Sequence, residues 1–101
     1  LDNQANSEKG SLVSATNRLV LNVEKLDNQN TKVTQSSLIQ GIRSADLTVN
    51  TSLIENQFGG IYAGQSVNLT VNQSINNRQG EILSAGRVDI INPDLTLVVN
   101  N

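Results

Sequence analysis

Cysteine, histidine, methionine and tryptophan are missing from this 101-residue chain, and proline, phenylalanine and tyrosine occur once each. The first two absences exclude disulfides, thiolate metal sites and any Ser–His–Asp or Cys–His catalytic arrangement within these residues. The near-absence of large rings argues against a globular core built around aromatics. Charge is sparse as well. Seven Lys and Arg against nine Asp and Glu leave a formal charge of −2, and the cations form no basic patch with interleaved aromatics. No nucleic-acid partner is expected. Apolar runs are only a few residues long, so no membrane insertion is expected either.

What remains is β-branched residues and Leu set among 15 Asn, 10 Ser and 7 Thr. That mixture suits short strands joined by tight corners, where Asn satisfies local backbone groups and tolerates left-handed geometry. One phrase recurs five times, an aliphatic residue, a polar residue and then Asn. It reads Leu1-Asp2-Asn3, Leu26-Asp27-Asn28, Ile54-Glu55-Asn56, Ile75-Asn76-Asn77 and Val99-Asn100-Asn101. Gln follows the first three copies, and Arg78 follows the fourth. The third-position Asn residues are 25, 28, 21 and 24 positions apart. Self-similarity at this period marks a repeat architecture.

After each phrase the apolar positions alternate with period two, the mark of a strand. Examples are Ile61 and Ala63, then Val67, Leu69 and Val71. In the first copy two readings of the early strand remain open, Val13 with Ala15 or Leu12 with Ser14. Dense Asn, Ser, Thr and β-branched content, with no 3.6-residue apolar stripe, disfavours helix. A single copy of 21–28 residues cannot bury enough to offset about 1.5 kcal/mol of ordering entropy per residue. Copies must therefore stack.

The expected fold is all-β, a parallel β-helix (a solenoid) of about four coils with three short strands per coil. Coils about 4.8 Å apart give a rod segment roughly 20 Å long. The coil boundaries fall near 1–25, 26–53, 54–74 and 75–98, with a fifth coil starting at 99. The 101 residues read as a single β-helical segment excerpted from a longer chain. In such a stack Asn3, Asn28, Asn56, Asn77 and Asn101 form a structural ladder of amides. A slip of one residue would invert every side chain, so the ladder's larger benefit is register.

These residues also resemble the haemagglutinin repeat of filamentous haemagglutinin-like exoproteins. The best copy runs from Ile54-Glu55-Asn56-Gln57-Phe58-Gly59-Gly60-Ile61-Tyr62-Ala63-Gly64 through Val67-Asn68-Leu69-Thr70-Val71, and Ile75–Asn92 is similar to it. The resemblance implies a right-handed coil in a long bacterial protein of the adhesin, haemolysin or contact-dependent growth-inhibition type. It implies secretion to the cell surface, and an outer-membrane two-partner-secretion transporter as partner of the parent protein. A receptor on a host or target cell is implied as a further partner. The expected role is a structural shaft without enzymatic activity or cofactor.

The alternative is a receptor- or glycan-binding module. Ala5 to Gly10 and Asn30 to Gln40 read as insertions in the first two copies, and insertions that leave a rigid stack are where binding surfaces are commonly built. The candidate recognition residues are Glu8, Lys9, Lys32, Phe58 and Tyr62. Stacked Asp2, Asp27 and Glu55 could attract a hard cation, but Asn76 breaks that column, and no metal site is assigned. Glycosidase chemistry needs two carboxylates about 5–9.5 Å apart across a cleft, whereas Glu24, Asp46, Glu81 and Asp89 are dispersed. Sequons stand at Asn50, Asn68 and Asn72. Ends cut through a repeat would expose strand edges, so end-to-end self-association is expected.

Overall fold

The computed structural model describes residues 1–6, 10–32, 39–93 and 98–101. Within them the chain is all-β, with eight strands and no helix. Three short strands come first, β1 (Leu12–Ser14), β2 (Arg18–Asn22) and β3 (Lys25–Asp27). Two long ones follow, β4 (Gly41–Glu55) and β5 (Gly60–Asn76), and then β6 (Glu81–Ser84), β7 (Arg87–Ile91) and β8 (Val98–Asn100). All pairing between them is parallel. One edge of β4 carries β1, β2 and β3 in turn, its other edge pairs with β5, and β5 carries β6, β7 and β8 beyond. The sheet thus consists of four rows.

These rows are curled. Seventeen residues of straight strand would span about 56 Å, yet the longest dimension of the molecule is 38 Å. Register shifts occur between β4 and β5 at Ser44/Asp46 and Thr51/Leu53, each of which gives β5 an extra residue. Such bulges bend a strand and free its side chains to turn a corner.

The middle rows are continuous rather than divided into three short strands, because each has a partner on both sides and its ladder runs through the corners. The outer rows, paired on one side only, break at those corners into β1–β3 and β6–β8.

The registers stack like on like. Val13, Ile42, Ile61 and Ile82 form one column, and Leu19, Leu47, Val67 and Val88 a second. Leu21, Val49, Leu69 and Ile90 form a third, and Leu26, Ile54, Ile75 and Val99 a fourth. The middle-row members are buried and form one core cluster. In the first row it is Val13 that packs on the core, while Leu12 faces out, 45% exposed. Column position sets burial at the far end too, since Val88 and Ile90 are each 42% exposed for want of a further row.

That gradient is measurable. Leu69→Ala should cost about 2–5 kcal/mol in urea unfolding, as for other buried Leu truncations. Val88→Ala, in an exposed member of a neighbouring column, should cost under about 1 kcal/mol. Equal losses at the two positions would contradict the stacked core.

Candidate functional site

The most organised polar feature is the amide column. Asn3 donates through Nδ2 to Oδ1 of Asn28 at 2.8 Å, and Asn28 to Asn56 at 2.8 Å. Asn56 donates to Asn77 at 2.7 Å, and Asn77 to Asn101 at 2.9 Å. The second Nδ2 hydrogen is also used. It reaches the carbonyl oxygen of Gly41 from Asn3, of Gly60 from Asn28 and of Glu81 from Asn56. Main-chain bonds run alongside, from the N–H of Asn28 to the carbonyl of Glu55 and from that of Asn56 to Asn76. Asn3, Asn28 and Asn56 are buried. An amide alone fits here, because it accepts from one row and donates to the next. In the first row Oδ1 of Asn3 accepts from the Ser11 hydroxyl at 2.7 Å.

The turn after the column has its own geometry. Asn30, Phe58 and Gln79 each lie two residues past a ladder Asn, and each has positive φ, at 64°, 52° and 52°. Asn adopts this conformation readily, whereas Phe and Gln do so at a cost. In two rows the next residue is glycine, with Gly59 donating to the Asn56 carbonyl and Gly80 to that of Asn77. A Cβ on Gly80 would strike the Asn56 carbonyl and the Asn77 side-chain oxygen. In the second row Thr31 takes the glycine's place. Its hydroxyl donates to the Asn28 carbonyl at 2.9 Å and accepts from the Gly60 N–H at 3.0 Å.

The outward residues of the phrase pair locally. Gln4 donates to Asp2 and Gln29 to Asp27 at 3.1 and 3.0 Å, and Asn76 donates to Glu55 at 3.0 Å. In the first two copies the Gln that follows the phrase thus serves its acidic second position, whereas Glu55 is met by Asn76 from the next row. No group of three or more acidic side chains gathers as a metal site among the described residues.

Of the candidate recognition residues, Lys32 bonds through Nζ to the Gln79 carbonyl at 2.8 Å, and Phe58 occupies the left-handed turn. The Tyr62 ring lies 4.5 Å below the Arg43 guanidinium, and its hydroxyl donates to Glu81 at 3.0 Å. Tyr62 and Phe58 therefore have separate settings, and Glu8 and Lys9 lie outside the described residues. The Arg43–Tyr62–Glu81 contact joins three rows and depends on register, so the sequence carried no signal for it.

A groove of about 410 Å³ opens on the outer face beside Asn22, Glu24, Asn50, Ser52, Thr70 and Asn72. Asn50 donates to Asn22 across it at 2.7 Å. Of the three sequon residues, Asn50 and Asn72 are exposed and Asn68 is half-buried. The groove lining offers amides, hydroxyls and one carboxylate, which can hydrogen-bond a polar ligand but supply no acid–base pair. No protein-family model, curated protein or solved structure matches this chain.

Magnitudes separate the roles of the two kinds of column. Among the described residues, the ten buried Val, Leu and Ile side chains of the core cluster at about 1.5–3 kcal/mol each far outweigh a few amide bonds at about 0.5–1.5 kcal/mol. The aliphatic columns supply stability and the amides supply register.

Two predictions follow from the column. In Asn28→Asp a buried acid meets an oxygen on Asn56 and a carbonyl on Gly60, so only its protonated form can donate. Burial and these acceptors raise its folded pKa above the unfolded value. The variant should keep most of its stability below about pH 4 and lose it as pH rises through the folded pKa. Urea midpoints from pH 3 to 8 that track the parent chain would refute this. Gly80→Ala should destabilise by about 1–3 kcal/mol, whereas Gly64→Ala, whose Cβ would meet only the Ala45 Cα at 3.7 Å, should be close to neutral by thermal melting.

Proposed function

We propose that this chain is a segment of the shaft of a large secreted bacterial surface exoprotein, of the adhesin or toxin-delivery type. In this reading the curled rows are coils of a right-handed parallel β-helix, four in number with a fifth beginning at residue 99. The observation that carries it is the axial repetition, in which the same four aliphatic columns and one amide column pass through every row. A stack of this kind grows by adding rows without altering those already present. Its mechanism is geometric. Inter-row hydrogen bonds run along the axis, so the segment holds whatever lies beyond it at a fixed distance. The resemblance to the haemagglutinin repeat supports export of the parent through an outer-membrane two-partner-secretion transporter.

The second reading is a receptor- or glycan-binding module. It draws on the two insertions, which follow Asn3 and Asn28 in adjacent copies and lie partly outside the described residues. Ile42 follows its ladder residue Asn28 by 14 positions, and Val13 follows Asn3 by 10, whereas Ile61 follows Asn56 by 5.

Deleting residues 6–10 or 32–40 in the parent exoprotein, which brings each spacing down to the five positions of the third row and keeps Asn30 and Thr31, separates the readings. A shaft keeps target-cell attachment within about twofold, a change of roughly 0.4 kcal/mol. Loss of attachment, with surface display intact, would establish the binding module instead.

A further inference from the structure

The outer-face groove lies at the corner that precedes the phrase in each row. Leu21, Val49 and Leu69 turn into the core, so the residues after them, Asn22, Asn50 and Thr70, form an outward column across three rows. Just past that column the Thr51/Leu53 shift gives β5 its extra residue, so Asn72 and Gln73 together stand opposite Ser52. Bulges of this kind re-aim side chains and are common beside binding and catalytic sites.

Hydrogen bonds hold the main chain on either side of the groove. The Glu24 carbonyl accepts from the Thr51 hydroxyl at 2.9 Å and from the Ser52 N–H at 3.0 Å. Two rows away, the Asn92 side chain donates to the carbonyls of Val71 at 2.6 Å and Asn72 at 3.2 Å. The lining is therefore preorganised, which lowers the cost of binding.

Its side chains are satisfied far less completely. Elsewhere the hydroxyls of Ser44, Ser66 and Ser84 are tied to neighbouring oxygens. In the groove Asn50 gives one Nδ2 hydrogen to Asn22. Among the described residues nothing meets the Asn22 Nδ2, the Asn50 Oδ1, the Ser52 and Thr70 hydroxyls or the Glu24 carboxylate.

That set of groups selects a ligand class. No Lys or Arg lines the groove, and Glu24 repels phosphate, sulfate or a second carboxylate. One carboxylate also leaves a hard cation poorly neutralised. Val23 is the apolar member of the lining and packs on the core, so a lipid finds no surface. A molecule dense in hydroxyls does fit. Each hydroxyl both donates and accepts, and a side-chain amide sets an acceptor beside a donor for two neighbouring hydroxyls.

We propose that this groove is a binding site for a neutral carbohydrate, whose hydroxyls bond the Asn22–Asn50 amide pair and the Glu24 carboxylate. Its volume of about 410 Å³ lies within the range of small-ligand sites, about 300–1,000 Å³. The groove opens away from the stacking axis, so rows added to the stack leave it uncovered. It precedes the phrase whereas the insertions follow it, so the site rests neither on those loops nor on the shaft reading.

Titration of the isotope-labelled 101-residue chain with maltose, cellobiose, lactose and diacetylchitobiose, followed by NMR, tests the proposal. At least one sugar should shift the amide signals of residues 22–24, 50–52 and 70–72 saturably. The Kd should be on the order of millimolar, because no aromatic ring lines the groove to stack a sugar. Asn50→Ala and Glu24→Gln should each weaken binding about tenfold. Asn68→Ala, on the same outer face but outside the lining, should leave it unchanged. Shifts that never saturate with any sugar, or that map elsewhere, overturn the proposal. So does an affinity that Asn50→Ala and Glu24→Gln leave unchanged, or that Asn68→Ala lowers equally. Saturable binding of calcium or inorganic phosphate at these residues, with no sugar bound, overturns it as well. The titration of the parent chain reads independently of whether any variant folds.

Discussion

A hydrogen bond from one asparagine side chain to the next can form only if successive rows lie at the β spacing and in a single register. Four such bonds, between 2.7 and 2.9 Å, link residues 21 to 28 positions apart. Everything else in the fold is arranged so that this spacing holds at one corner. The left-handed residue two places on turns the chain away, and the glycine or Thr31 after it leaves room for the neighbouring carbonyl. Each aliphatic column then holds its own stretch of row in register, because a slip of one residue would turn its side chains outward, and the bulges at Ser44/Asp46 and Thr51/Leu53 take up the differences between rows.

This division of labour explains why row lengths vary so much. Aliphatic columns tolerate any intervening loop, provided that the chain returns to the same place in the row. Extra residues therefore collect at corners. Insertions follow Asn3 and Asn28, and bulges at Ser44/Asp46 and Thr51/Leu53 absorb single residues within β5. Loop closure is inexpensive beside the burial that it preserves.

Much of this was legible in the sequence because it is written in repeated residue types. The aliphatic–polar–Asn phrase marks the column, and period-two alternation marks the inward positions of β2, β4, β5 and β7. What was not legible depends on register between copies. Leu12 and Val13 were equivalent on paper, and only pairing with Gly41 and Ile42 turns Val13 inward. The Arg43–Tyr62–Glu81 contact needs three copies aligned before its members are neighbours. Phe58 and Gln79 adopt left-handed turns that their residue types do not announce, imposed by the column behind them. Continuity of β4 and β5 through the corners was hidden as well, because pairing on both sides sustains strands where local sequence suggests a break.

The amide column also has a direction. Every member donates toward the last row and accepts from the first, so its side-chain dipoles add instead of cancelling as dipoles largely do across a sheet. The stack is therefore electrically polar along its axis, with N–H groups directed at the Asn101 end and oxygen at the Asn3 end. Like the end of a helix, the Asn101 end favours an anion and the Asn3 end a cation. Each added row lengthens this line of dipoles without altering its sign, so an extended stack carries a built-in orientation that its near-neutral net charge does not reveal.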